Sequence, residues 1–127
     1  MDKLPNVMAK RSKPLDLLHA DTGHDPNCLL GRRWICRGGA CIWTGPSGCG
    51  KSALTMQAAT LWAAGFDFFG IQPVKPLKSI IIQAENDEMD LAEQFRGVMN
   101  GLKLYDYANE INANLDIFTE TAKTGLS

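Results

Sequence analysis

Apolar positions along the chain change spacing in a regular order. Trp34-Ile35-Cys36, enclosed by Arg33 and Arg37, and the β-forming run Ala40-Cys41-Ile42-Trp43-Thr44 lie on either side of the Gly38-Gly39 turn, which predicts a hairpin. Leu54, Ala58 and Leu61 then recur at i, i+4 and i+7, one face of a helix from Ser52 to Ala64, and Gly65 can take the left-handed conformation that ends it. Residues 66–78 carry Phe66, Phe68 and Phe69 but are broken by Gly70, Pro73 and Pro76, so they read as a loop with apolar anchors. Ser79-Ile80-Ile81-Ile82-Gln83-Ala84 is the near-continuous run expected of a strand buried on both faces. Leu91, Phe95, Val98 and Leu102 restore helical spacing, with Asp87, Glu88 and Asp90 in the first turn, where carboxylates favour the helix dipole. A polar turn is expected over 109–114 and a further strand over Leu115–Thr119; no internal repeat is visible.

Strand, helix, strand, helix, strand is the order of an α/β fold, a parallel sheet flanked by helices with right-handed crossovers. Residues 1–27 contain Pro5, Pro14 and Pro26, a basic cluster at Lys10, Arg11 and Lys13, and one short apolar patch, and are expected to form a flexible arm. The domain is expected over 28–127. A length of 127 residues falls below the roughly 200 of a complete nucleotide-hydrolysing α/β domain, and three strands leave open edges.

With 45% hydrophobic and 21% charged residues the chain has an ordinary globular composition, and a net charge of -1 gives no overall attraction to nucleic acid or anionic lipid. Cys28, Cys36, Cys41 and Cys49 form no CxxC pair and are read as free thiols. The sequence has no apolar run long enough for a membrane span and no signal-peptide core, so no membrane partner is expected and the expected location is the cytoplasm.

The chemistry lies in Gly45-Pro46-Ser47-Gly48-Cys49-Gly50-Lys51-Ser52, a complete G-x-x-x-x-G-K-[ST] loop placed after an apolar run and at the start of a helix. Without a Cβ at Gly45, Gly48 and Gly50 the backbone can curl around an oxyanion and turn successive N–H groups inward. Lys51 supplies an ammonium to the β- and γ-phosphates, and the Ser52 hydroxyl is a ligand for a bridging magnesium ion. Cys49 fills an unconstrained position, where a small residue fits. The implied ligand is a nucleoside triphosphate with magnesium.

Glu85 follows the Ile80-Ile81-Ile82 run at the carboxyl edge of the sheet, where open parallel sheets bind ligands. A carboxylate there can direct a water onto the γ-phosphate; equally, Glu85, Asn86 and Asp87 can simply cap the next helix. Taken with Leu30-Gly31-Arg32-Arg33-Trp34, Gly38-Gly39, Ala63-Ala64-Gly65 and Gly70, the loop and Ile80 to Asp87 make the chain resemble the RecA-type ATPases, most closely the branch of RepA-like replicative helicases and phage or plasmid AAA-type ATPases. The resemblance runs from about Leu30 to Leu102. It implies a RecA-like fold, ATP and Mg2+ as ligands, Lys51 and Glu85 as catalytic residues with Glu85 the base, assembly into a homo-oligomeric ring or filament, and action on DNA in replication, recombination or repair. The family's magnesium-linked aspartate strand, DNA-contacting loops and inter-subunit arginine have no counterpart here, and Asp116 lies inside its apolar run rather than after it. This chain is therefore expected to be the N-terminal portion of such a domain, or a truncated gene product. It is expected to bind triphosphate and to hydrolyse it poorly, with DNA held by segments outside it.

Two other functions remain open: a small-molecule or nucleotide kinase, against which stands the lack of an arginine-rich lid, and a nucleotide-sensing module without turnover. A GTPase is disfavoured because no N-K-x-D segment occurs. His19 and His24 near Asp21 and Asp25 read as solvated polar residues, the acidic stretch 85–93 lacks calcium-loop spacing, and Trp34, Trp43 and Trp62 read as packing residues.

Overall fold

The computed structural model describes residues 9–46, 48, 50–84 and 86–119. The domain is organised around one helix, α2 (Lys51–Ala63), which has packed side chains on two sides. One side, through Met56, Ala59 and Ala63, joins a core with Ile81, Leu91, Met99, Leu104, Ile111 and Leu115. The other, through Ala58 and Trp62, joins a smaller core with Leu30 and Phe68. The single stripe expected at Leu54, Ala58 and Leu61 is corrected accordingly: Leu54 is exposed, Leu61 is half-buried and Met56 is the most deeply buried apolar side chain of the first turns. Small residues at Ala58, Ala59, Ala63 and Ala64 let neighbours approach this helix from both sides, and a periodicity argument built for one apolar face does not capture that.

The smaller core is roofed by β1 (Cys28–Leu30) and β2 (Ile35–Cys36), an antiparallel pair with Cys28 opposite Cys36 and Leu30 opposite Ile35. The turn between them uses left-handed Gly31 and Arg33, each at φ 61°. The hairpin was expected one step later, between residues 33–37 and 40–44. Instead 40–44 forms no strand among the described residues, because β2 has taken β1 as its partner and no described strand lies beside 40–44. The aromatic loop after α2 closes against β1 through Gly31 N–H to Gln72 O (2.8 Å) and Val74 N–H to Leu29 O (3.1 Å). Trp62 donates from Nε1 to Ile71 O at 2.9 Å and meets Phe68 edge-on at 5.9 Å, the packing role expected of it. Gly65, at φ 88°, ends α2 as anticipated and brings the backbone close to Pro76.

On the other side, β3 (Ser79–Gln83) pairs in parallel with β4 (Leu115–Thr119), from Ser79 opposite Leu115 to Gln83 opposite Thr119. Between them run α3 (Glu88–Gly101) and a short helix α4 (Ala108–Asn114). Asp87 caps α3, accepting from Asp90 N–H at 2.9 Å while the Asp90 carboxylate returns toward Asp87 N–H, so the acidic cluster marks the helix start as expected. Two expectations fail here. Residues 109–114 are helical rather than a turn, since burial of Ile111 and a hydrogen bond from Asn114 Nδ2 to Ala63 O (2.9 Å) outweigh the poor helix propensity of three asparagines. β3 is buried on one face only: Ile81 is in the core, whereas Ile80 and Ile82 are 63% and 76% exposed alongside Phe118 of β4. The three-strand parallel sheet is thus a parallel pair among the described residues. Within the expected arm, Pro14–Leu18 forms one helical turn, α1, and Asp25 reaches the domain through Arg33 Nε at 2.8 Å.

Candidate nucleotide site

The loop that opens α2 depends on backbone conformations that glycine tolerates. Gly48 has φ 79°, and Gly50, the N-cap of α2, has φ 92° and ψ 16°, a left-handed conformation that aims the first helical N–H groups out of the helix end. A Cβ built on either glycine would meet nothing within 4 Å. Lys51 Nζ donates to Gly45 O at 2.6 Å and Pro46 O at 3.0 Å, folding its ammonium across the mouth of the loop. Leu54 N–H to Gly50 O (3.0 Å) and Thr55 Oγ1 to Lys51 O (2.8 Å) fix the first turn behind it.

This loop faces the carboxyl end of β3 across a cavity of about 740 Å³, within the range of small-ligand sites. Gly48, Gly50, Lys51, Ser52 and Thr55 form one wall, and Gln83, Ala84 and Asn86 the other, with Trp43 and Gln94 at the sides. The described lining holds one cation, Lys51, and no carboxylate. With the positive end of α2 it is suited to an anion. Asp116 stands on the outer face of the sheet opposite Ile80 and does not line the cavity.

The structure therefore brings Gly48, Gly50, Lys51 and Ser52 together and ties Gly45 and Pro46 to them through the lysine. Ser47, Cys49 and Glu85 lie outside the described residues. Trp43, Thr55, Gln83, Asn86 and Gln94 were not singled out from the sequence as site residues. Gln94 alone left a legible signal, a polar residue in the apolar stripe of its helix.

The open glycine positions, the ammonium and the Ser52 hydroxyl are the donor and ligand set that a polyphosphate with magnesium requires, so the residues present fit both. A glycine loop at a helix N-terminus, facing the end of a parallel strand, places the molecule among the P-loop nucleotide-binding α/β proteins. More particularly, the chain belongs to the AAA domain family, whose model matches residues 8–124. Membership carries nucleotide binding and ATPase-type function in general. No curated protein and no solved structure matches the chain. No helix among the described residues is long and apolar enough to cross a membrane.

Proposed function

We propose that the chain binds ATP with magnesium as part of a RecA-like ATPase of the RepA-like branch that works on DNA. The observation carrying the nucleotide-binding part of this reading is the cavity shared by the phosphate loop and the carboxyl end of β3. Gly45 to Ser52 would enclose the phosphates, with Lys51 moving from the loop carbonyls to phosphate oxygens and Ser52 holding the cation. Bound magnesium would offset charge on the phosphates. Glu85 would direct a water in line with the γ-phosphate; its neighbours Ala84 and Asn86 both line the cavity, which supports that role. DNA and a ring or filament of further copies enter through the family resemblance alone.

The test is ATP binding with magnesium, and phosphate release with and without single-stranded DNA, for the wild type, Lys51→Ala and Glu85→Gln. Lys51→Ala is expected to abolish binding, and Glu85→Gln to retain binding while losing turnover, by about 100-fold or more if it is the base. Binding that is indifferent to Lys51 would sink the reading. Binding through Lys51 with no turnover, with or without DNA, would leave a nucleotide-sensing module instead.

A further inference from the structure

Cys28 and Cys36 stand directly opposite each other in the β1–β2 pair. Arg37 N–H donates to Asn27 O at 2.7 Å, one residue beyond the two cysteines on each strand, so theirs is a non-hydrogen-bonded pair. In such pairs the Cα atoms lie about 4.5 Å apart and the side chains come closest. Disulfides span Cα separations of about 4.4–6.8 Å, so the backbone register already meets the requirement. Across the irregularity between Cys28 and Leu30 the strands change face. Leu30 and Ile35 belong to the smaller core, whereas the two cysteines sit with Asp25 and Arg33.

Both thiols are free, and each has its own partners. The buried Cys28 Sγ donates to Gly31 O at 3.2 Å and accepts from Arg33 N–H at 3.3 Å. The half-buried Cys36 Sγ donates toward Asp25 Oδ2 at 3.9 Å, the same oxygen that accepts from Arg33 Nε. Asp25 does not complete a metal-holding group with them, and no such group occurs among the described residues. We propose that Cys28 and Cys36 form a dithiol modification site, which a low-molecular-weight disulfide such as oxidised glutathione converts to a cross-strand disulfide in the folded protein. The Cys36 thiolate, the more accessible of the two, attacks one sulfur of the small disulfide, forms a mixed disulfide and expels one thiolate. The Cys28 thiolate then attacks Cys36 Sγ and expels the second. The protein gives up two protons and two electrons, and the small disulfide leaves as two thiols. Each sulfur exchanges its present partners by rotating about its Cα–Cβ bond, so the hairpin keeps its register. Excess thiol reverses the reaction. The site is independent of the nucleotide reading.

The test is to treat the full chain with oxidised glutathione, once folded and once in urea, quench with acid, and map the links by mass spectrometry after digestion without reduction. In the folded chain the Cys28–Cys36 link should exceed the Cys36–Cys41 link by about tenfold or more, because only the first pair is held in register. In urea loop length alone decides, and the shorter Cys36–Cys41 loop should at least equal it. Cys28→Ser, or Cys28→Ala if serine unsettles the buried position, should stop at a glutathione adduct on Cys36. The oxidised wild type should melt no lower than the reduced one, since the link constrains the unfolded chain. Folded wild type that keeps glutathione on Cys36, or leaves Cys36 unmodified, would overturn the proposal. The same share of Cys28–Cys36 link with and without urea would also overturn it, since nearness in sequence would then account for the bond. A lower melting temperature after oxidation would do so too, because the bond would then form at the expense of the fold. The wild-type comparison stands whether or not either variant folds.

Discussion

Replacing Gly50 by alanine separates the fold from the site, provided Gly65→Ala is measured beside it. Both glycines are left-handed, at φ 92° and 88°. A Cβ in that region costs about 1–2 kcal/mol. At Gly50 the added methyl meets nothing within 4 Å, so torsional strain is the whole cost in the empty protein. At Gly65 the methyl would also lie 3.3 Å from Pro76 Cγ, which raises the expected loss to about 2–3 kcal/mol. Urea unfolding should therefore rank Gly65→Ala as less stable than Gly50→Ala, with m unchanged in both. Nucleotide affinity should rank them the other way. In the proposed binding mode a phosphate packs against the backbone at Gly50, so Gly50→Ala should weaken magnesium-ATP binding by about tenfold or more, while Gly65→Ala, at the far end of α2, leaves it within about twofold. Calorimetric titration at a temperature where both variants are folded gives the comparison. Equal affinities for Gly50→Ala and wild type would refute the placement of phosphate inside the loop, and parallel losses in both variants would mean that binding follows global stability.

Met56, 1% exposed in the larger core, should cost about 2–5 kcal/mol when cut to alanine; a loss under about 1 kcal/mol by urea unfolding would contradict the packing of α2 on Ile81 and Leu91. Asp25 accepts from Asn27 N–H, the larger cause, and from Arg33 Nε, and these hold its carboxyl below the ordinary carboxylate range. Because its folded value is the lower one, its contribution to stability is full above the unfolded pKa of about 3.9 and is lost as pH falls through the folded value. Arg33→Gln should move the Asp25 titration upward, read by carboxyl NMR, and an unmoved midpoint would dismiss the ion pair as a cause.

What the sequence made legible and what it left hidden divide along a physical line. The phosphate loop, the start of α3 at Asp87 and the end of α2 at Gly65 depend on local chemistry, on glycine's freedom or a carboxylate reaching its own backbone, and so could be read from a few neighbouring residues. The partner of β2, the exposed face of β3 and the helix over 108–114 depend on which distant segments lie alongside. Ile80, Ile81 and Ile82 are chemically alike, yet only Ile81 meets α2 and α3. Ile111 turns an asparagine-rich stretch into a helix because Met56 and Leu115 share its core. In the site, Lys51 was evident from spacing, whereas Gln83 and Asn86 became neighbours of the loop only through the placement of β3.

The parallel pairing of β3 with β4 bears on when β3, whose carboxyl end makes the second wall of the cavity, gains its strand partner. Ser79 meets Leu115 only after α3 and α4 have been threaded between them, a closure slower than forming α2 or the β1–β2 hairpin. During synthesis the phosphate loop leaves the ribosome well before the strand that makes the opposite wall. A newly made chain thus carries its recognition loop for a time as a bare helix start with no chamber around it. A ligand that binds only the folded chain draws the population toward that state by mass action.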